Sequence, residues 1–292
     1  MIHSSAMETQ PLAYMSPEFL TSDEARPLRL MAEYLEPLRR FRKQRIRDTV
    51  VFFGSARTRS REAAQRHLAE VHAGKALGNR SVGAAVKEAT RAVEWSRYYE
   101  DARELANRLA KWSLSLESPR HRFVVCSGGG PGIMEAANRG AHDAGGKSIG
   151  FNIRLPFEQG ANRYITRGLH FEFHYFFMRK FWFAYLAKAL VIFPGGFGTL
   201  DEMFEILTLS QTQKLSKQLG VFIYGREYWE EILDLKPMGE WGAINPQDLD
   251  LLKWVNTPDE AWEQLRAHLM THHLVPETAQ ENRAPGIAKT RG

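Results

Sequence analysis

The chain has 292 residues, of which 43% are hydrophobic and 25% charged, and this composition is typical of a globular protein with a sizeable core. Its length favours one domain with extensions over two domains. The single cysteine, Cys126, excludes a disulfide framework and a multi-cysteine zinc site. No apolar stretch reaches the roughly 18 residues that a membrane span needs, and residues 1–10 lack the pattern of a secretory signal. We therefore expect a cytoplasmic protein with no membrane partner.

The positive charge is concentrated in one short segment. Lys and Arg number 39 against 34 Asp and Glu, which gives a net charge of +5, and residues 39–47 alone contain Arg and Lys at six of nine positions and no acid. The rest of the chain is near neutral. No base-stacking or recognition motif accompanies the cluster, so nucleic acid is an unfavoured partner, and a solvated helix end or a patch facing an anion is the preferred interpretation.

The amino-terminal third is predicted to be mostly helical around one strand. Apolar residues recur every three or four positions between 28 and 38, which predicts a helix within an extension over residues 1–47. The apolar run at 49–53 predicts a buried strand. Residues 61–97 favour helix but are interrupted by glycines, and we interpret them as a helical insertion. A further helix is predicted at 98–116.

From residue 122 onwards, strands and helices alternate regularly. Strands are predicted at 123–126, 147–153, 189–193 and 220–224, with another extended candidate at 164–173. Helices are predicted at 133–144, 175–187, 199–212, 228–235 and 259–269. Fully apolar strands alternating with helices indicate an α/β fold, a doubly wound, Rossmann-like parallel sheet covered on both faces by helices. We expect this domain to span residues 48–270 and to be followed by a flexible tail at 271–292.

Three of the predicted strand-to-helix turns are rich in glycine. They lie at residues 54–57 (GSAR), 127–132 (SGGGPG) and 194–199 (PGGFGT). Glycine lets the backbone approach a ligand closely, and the helix that follows directs unpaired N–H groups at an anion. Three such turns at one edge of a sheet predict a phosphate site. The dinucleotide and P-loop patterns are both absent, which favours a mononucleotide or sugar phosphate over NAD or ATP, and no cofactor is expected.

Two charged side chains near these turns have alternative interpretations. Thr199 and Glu202 match a capping box, in which Glu202 would only cap its own helix, but a carboxylate beside a bound phosphate would also reach the attached ribose. Arg179 lies among aromatic residues, where a buried guanidinium requires a carboxylate or an anionic ligand. His170 and His174 have no third ligand at metal spacing, so no metal is expected.

Several segments resemble a known family. The segment 194–202 (PGGFGTLDE) matches the PGGxGTxxE motif of the Lonely Guy family, the cytokinin-activating phosphoribohydrolases that are often mislabelled as lysine decarboxylases. Further matching segments are GSAR at 54–57, YYEDAR at 98–103, SGGGPGIMEAA at 127–137, NIRLPFEQGAN at 152–162 and MRK at 178–180. The resemblance covers about residues 48–235 and is similar to the longer bacterial branch of the family. No lysine occupies a convincing site for the pyridoxal phosphate of a decarboxylase.

The resemblance implies hydrolysis of the N-glycosidic bond of AMP, or of its N6-modified cytokinin form, to free base and ribose 5-phosphate. It implies that Arg179 and Glu202 are the catalytic pair and that the homo-oligomer is a dimer or larger. Phosphate binding is implied for Gly195, Gly196, Gly198 and Thr199. Other candidate substrate contacts are Ser55, Arg57, Gly129, Gly130, Met134, Glu135, Glu158, Lys180, Asp201 and Thr208. In this interpretation Arg179 keeps Glu202 ionised beside the positive charge that develops at C1′.

Two alternatives stay open at this point. One is a non-catalytic nucleotide or cofactor carrier on the same fold, which need not retain both Arg179 and Glu202. The other is a nucleosidase for other nucleoside monophosphates, which differs only in the base it accepts. The motifs leave the preferred base open.

Overall fold

The structure is a computed structural model and describes residues 10–76, 81–154, 160–212, 214 and 217–274. Its centre is a seven-stranded sheet in the order β4-β3-β2-β1-β5-β6-β7, and every neighbouring pair is parallel. The strands are β1 Thr49–Phe53, β2 Val124–Ser127, β3 Ser148–Ile153, β4 His170–Phe173, β5 Ala187–Ile192, β6 Gly220–Tyr224 and β7 Leu252–Val255. The parallel order confirms the predicted α/β class.

Helices cover both faces of the sheet and form the amino-terminal extension. They are α1 Pro17–Thr21, α2 Arg26–Lys43, α3 Arg61–His72, α4 Val82–Ser115, α5 Ile133–Asp143, α6 Phe176–Leu186, α7 Phe197–Gln211, α8 Arg226–Ile232, α9 Lys236–Glu240 and α10 Pro258–His273. Helix α4 has 34 residues, so the second half of the segment 61–97 and the helix predicted at 98–116 are one element. Gly74, with a φ of +73°, follows the end of α3, whereas Gly83 lies in the first turn of α4.

Alternate residues of each strand enter two separate cores. On β1, Val51 and Phe53 pack in the cluster that contains side chains of α2, α6, α7 and α8. Val50 and Phe52 pack in the cluster formed with α4, α5 and α10. This alternation explains why the central strands β1, β5 and β6 are apolar at almost every position, because both of their faces are buried.

The strand order reverses beside β1. The chain leaves β1 towards β2 on one side and returns with β5 on the other side, so a crevice opens at the carboxyl ends of β1 and β5. The backbone N–H of Ser55, in the turn after β1, donates to the Pro194 carbonyl at 2.9 Å. The carbonyl of Ser55 accepts from the N–H of Ile133, the first residue of α5, at 3.1 Å. These bonds hold the three glycine-rich turns together at one edge of the sheet.

A buried ion pair lies at the opposite edge of the sheet, at the amino ends of β1 and β2. The Nε of Arg122 lies 2.9 Å from the Asp48 carboxylate, and both side chains are almost inaccessible to solvent. The other carboxylate oxygen of Asp48 accepts the backbone N–H of Phe123 at 2.6 Å. This pair joins the chain ahead of β1 to the chain ahead of β2.

The carboxyl-terminal helix α10 ends at His273 and thus enters the segment 271–292 that was predicted to be a flexible tail. Residues 275–292 lie outside the described residues, so that prediction is untested there. Among the helices that the structure does describe, none combines the length and the apolar character needed to cross a membrane.

Candidate active site

A cavity of about 630 Å³ occupies the crevice at the carboxyl ends of the strands. Its wall includes the turn after β1, the start of α7 and side chains from α4, α5, α6 and α8. The predicted site residues Ser55, Arg57 and Met134 line it. So do Gly195, Gly196, Gly198 and Thr199. The place agrees with the rule that parallel sheets bind ligands where the strand order reverses.

Arg179 and Glu202 meet in the wall of this cavity. The Nη2 atom of Arg179 donates to Glu202 Oε1 at 3.0 Å, and the side chains are only 16% and 6% exposed. The guanidinium also lies over the rings of Phe176 and Phe183, with its carbon 5.3 and 5.7 Å from the ring centroids. The aromatic helix α6 thus places a cation in a largely apolar setting, where a carboxylate or an anionic ligand stabilises it.

The geometry rejects the capping interpretation of Glu202. Helix α7 begins at Phe197 after the N-cap residue Gly196, and no side chain caps this helix. Thr199 is the third helical residue and Glu202 the sixth, so Glu202 lies too far into the helix to form a capping box. Its carboxylate faces Arg179 instead. Thr199 and Glu202, the first and last residues of the T-x-x-E segment, both line the cavity.

Burial dominates the acidity of Glu202. Desolvation raises the pKa of its carboxyl group to about 7, even though the charges of Arg179 and Lys180 act to lower it. The expectation that Arg179 keeps this carboxylate fully ionised therefore needs correction for the unliganded cavity. Near neutral pH, Glu202 is divided between its protonated and ionised forms, which suits a group that exchanges a proton with substrate or water.

The start of α7 presents amides and open space to the cavity. The first N–H groups of a helix have no acceptor within the helix, and here they belong to Phe197 and Gly198. A methyl group added at Gly196 or Gly198 would meet nothing within 4 Å. At Gly195 it would lie 2.1 Å from Thr199 Oγ1, so that position is closed by packing. An anion thus has amide donors, the positive end of a helix dipole and room beside them.

Other predicted contacts lie beside the cavity without lining it. Gly129 and Gly130 belong to the turn after β2, where both carbonyls accept from the Asn162 side chain. Glu135 accepts from the Tyr99 hydroxyl at 2.7 Å and lines a neighbouring cavity of about 690 Å³. Their predicted role in substrate binding stays a prediction.

The remaining predicted residues lie further along α6 and α7 or outside the described chain. Lys180 contacts Asp201 at 2.8 Å and Glu205 at 3.0 Å, and this charged group stands outside the cavity lining. Thr208 donates to the carbonyl of Phe204 within its own helix. Glu158 lies outside the described residues.

Three of the side chains that line the cavity and were missed by the sequence analysis can form hydrogen bonds. The hydroxyl of Tyr228, on α8, donates to the Gly195 carbonyl at 2.9 Å, and Trp95, on α4, packs edge-on against the Tyr228 ring. Asn152, at the end of β3, is the third. Only Asn152 had a signal, because it opens the segment NIRLPFEQGAN. Tyr228 and Trp95 are brought to the site by tertiary packing alone.

Neither a metal centre nor a reactive thiol is formed by the residues that the structure describes. Across the residues that the structure covers, no three His, Cys, Asp or Glu side chains are grouped so as to hold a metal ion. Cys126 is buried in the core, and burial raises the pKa of its thiol well above the ordinary value. A thiol in that state is a poor nucleophile.

Comparison with known proteins agrees with the motif resemblance. A family model described as possible lysine decarboxylase matches residues 134–265. The cytokinin riboside 5′-monophosphate phosphoribohydrolase LOG3 of Arabidopsis thaliana is 25% identical over 182 residues, covering 62% of this chain and 80% of that protein. The probable phosphoribohydrolase LOG6 of the same plant is 27% identical over 175 residues, covering 60% and 83%.

Among solved structures, a molybdenum-cofactor carrier protein from Chlamydomonas reinhardtii matches 77% of this chain and 99% of its own, with 17% identity and a TM-score of 0.43. The fold assignment rests on the strand order of this chain and not on that match. The two plant enzymes and the family model confirm the resemblance to the Lonely Guy family that the motifs predicted.

Proposed function

We propose that the protein is a phosphoribohydrolase that cleaves the N-glycosidic bond of AMP, or of an N6-modified adenosine 5′-monophosphate, to free base and ribose 5-phosphate. The observation that carries the proposal is the buried pair of Arg179 and Glu202 in the same cavity as the free amides of α7. A phosphate site beside a carboxylate fits a substrate with a 5′-phosphate and a sugar carbon to be attacked. The named activity of the plant relatives supports the same reaction.

In this reaction, binding and chemistry are separate tasks of the cavity. The amides of Phe197 and Gly198 bind the 5′-phosphate, and this binding energy holds the ribose in place. As the bond between C1′ and the base nitrogen breaks, its electron pair goes to the base and positive charge develops on C1′ and the ring oxygen. Ionised Glu202 stabilises that charge and accepts a proton from the attacking water, whose oxygen bonds to C1′. Arg179 orients the carboxylate. The leaving base takes up a proton from solvent water, and Glu202 returns the proton that it accepted to the solvent.

The test is release of free base, measured by chromatography, from AMP and from isopentenyladenosine monophosphate, with adenosine as the unphosphorylated control. We expect turnover of the monophosphates and little turnover of adenosine, because adenosine lacks the group that the α7 amides bind. Equal turnover of the monophosphates and adenosine would contradict binding of the 5′-phosphate by the α7 amides. Tight binding without base release would favour the carrier alternative, and release from other monophosphates alone would identify a nucleosidase with a different base preference.

We further propose that a second copy of the chain packs over the exposed side of α6. Phe176 and Phe177 at the start of this helix are 52% and 53% exposed, and the nearly fully exposed Phe197 stands at the cavity itself. Adjacent exposed aromatic residues at a functional edge are typical of an interface. Light scattering coupled to gel filtration should give a dimer or larger species for the natural chain and a smaller one for Phe177→Glu. A monomeric natural chain would contradict this part.

A further inference from the structure

A second cavity, of about 690 Å³, adjoins the candidate active site. Its wall is formed by the loop after β1, by α3 and the first half of α4, and by the start of α5. The volume lies within the range of about 300–1,000 Å³ that is common for small-molecule sites. The segment 61–97, interpreted from sequence as a helical insertion, therefore supplies two walls of a ligand-sized space.

Three guanidinium groups line this second cavity, those of Arg57, Arg59 and Arg91. Within the described part of the chain, none of the three forms an ion pair with a carboxylate. Helices α3 and α5 both begin at the cavity, where Ser60 and Gly132 precede their first residues. Unpaired cations and the positive ends of two helices together favour an anion with several negative charges.

The rest of the lining suits a nucleotide better than a bare polyphosphate. Trp95, Ala63 and Ala92 present apolar surface to the cavity, against which an aromatic ring can pack. Glu88 and Glu135 also line it. A carboxylate repels inorganic phosphate but accepts the N–H groups of an amino-substituted base. The cavity thus offers separate partners to a phosphate chain and to a base.

We propose that the second cavity binds a nucleoside di- or triphosphate, and that this ligand is distinct from the substrate of the proposed reaction. The three guanidinium groups bind its phosphate chain, its base packs against Trp95, and a lining carboxylate accepts an N–H from the base. Arg179 and Glu202 line only the candidate active site, so the ligand of the second cavity is not cleaved. The inference therefore goes beyond the proposed function.

The two cavities share part of their lining, since Ala56, Arg57 and Trp95 contribute to both. Trp95 also packs edge-on against Tyr228, whose hydroxyl donates to the Gly195 carbonyl in the glycine turn of the candidate active site. Two anions bound at the same time would share the guanidinium of Arg57 and repel each other. An anion in one cavity should therefore weaken the binding of an anion in the other.

The first test is calorimetric titration of the natural chain with ATP. We expect Arg59→Ala and Arg91→Ala each to weaken ATP binding by about tenfold, because each removes a charge-assisted contact. Both side chains are exposed and line only the second cavity, so the fold and the candidate active site should be preserved. Arg66→Ala is the matched control, since Arg66 is an exposed arginine of α3 outside the cavity lining. Unchanged ATP affinity in both variants, or no binding of ATP by the natural chain, would overturn the proposal.

Inorganic tripolyphosphate tests whether the base contributes to binding. It should bind about tenfold more weakly than ATP, because it lacks the ring that packs against Trp95. Equal affinity of the two would overturn the assignment to a nucleotide.

The KM for AMP distinguishes the second cavity from the candidate active site. Saturating ATP should raise this KM in the natural chain, and the rise should disappear in the double variant Arg59→Ala Arg91→Ala. A rise that persists in the double variant would place ATP in the candidate active site and overturn the proposal. ATP binding that depends on Arg59 and Arg91, in a chain that releases no base, would support the second site and refute the proposed reaction.

Discussion

Glu202 accepts a hydrogen bond from Arg179 across two helices, at 3.0 Å between Oε1 and Nη2, although the residues are 23 positions apart in the chain. Burial raises the pKa of the carboxyl group to about 7, and the guanidinium acts in the opposite direction. The acidity of the group thus depends on a balance between desolvation and the neighbouring charges, of which Arg179 has the largest effect.

Glu202→Gln is expected to lower kcat for base release by about 10²- to 10⁴-fold, the usual range for a lost general acid or base. Binding of AMP should persist, because the proposed phosphate contacts are on the α7 backbone. Turnover by chromatography and affinity by calorimetry check the two statements. Glu230→Gln, which alters an exposed carboxylate paired with Arg226 on α8, is the control. Near-natural turnover by Glu202→Gln would remove Glu202 from the reaction.

The activity is expected to fall on acidification through about pH 7, because in the proposed reaction Glu202 acts in its ionised form and its pKa is raised to that value. The acid limb of kcat/KM reports the free enzyme. Arg179→Met removes a charge that lowers the pKa of Glu202. The acid limb of this variant should therefore move to higher pH, and its kcat/KM should fall. Arg226→Met, on the exposed surface of α8, should keep the natural limb. An unshifted limb in Arg179→Met would show that another group is responsible.

The same carboxyl group is expected to make stability depend on pH. Between its ordinary value of 4.5 and about 7, the folded state holds a proton that the unfolded state has released, so the free energy of unfolding falls as pH rises through this window. Glu202→Gln lacks this dependence. From pH 5 to pH 8, the free energy of unfolding of Glu202→Gln relative to the natural chain should therefore rise by at most about 3 kcal/mol. Denaturation at the two pH values measures this change. A constant difference would contradict the raised pKa.

Gly198→Ala separates phosphate binding from folding. The added methyl group meets nothing within 4 Å in the unliganded chain, so stability should hold or improve by up to about 1 kcal/mol. In the complex the methyl group would intrude on the phosphate, and KM for AMP should rise about tenfold, equivalent to about 1.4 kcal/mol. Gly83→Ala is a close match, since Gly83 is also the second residue of its helix and has equal space. An unchanged KM would exclude phosphate from the start of α7.

The ion pair at the opposite edge is expected to matter for stability alone. Asp48→Ala would leave Arg122 buried without its carboxylate, at a cost of about 3–5 kcal/mol. The kcat of the folded fraction should not change, because the pair lies away from the cavity. Glu62→Ala, which breaks the exposed pair with Arg66, should cost less than about 1 kcal/mol. Loss of kcat in Asp48→Ala at full folding would contradict this separation.

Much of the sheet could be predicted from sequence because its strands are short apolar runs. The structure places β1 at 49–53 and β6 at 220–224, where they were predicted. The edge strand β7 was missed, because Lys253 and Trp254 are only partly buried and its four residues carry no clear period. The continuous α4 was missed for a different reason: Gly83 falls in the first turn of the helix, where glycine does not interrupt it.

Some features of the site could be predicted from local sequence motifs, whereas others depend on tertiary packing. The glycine turn at 194–199 and the pair of Arg179 and Glu202 were accessible from sequence, since a motif resemblance identified them. The hydrogen bond from Tyr228 to the Gly195 carbonyl was not accessible from sequence, because it depends on how α8 packs against the glycine turn. The raised pKa of Glu202 likewise depends on burial, which spacing along the chain does not report.

The ion pair of Asp48 and Arg122 joins the chain segments that enter β1 and β2, at the edge of the sheet that faces away from the cavity. The stabilising ion pair and the candidate active site consequently lie at different ends of the same strands. Residues around Arg122 can therefore be redesigned for a higher melting temperature alone. The kcat of such a variant should stay that of the natural chain.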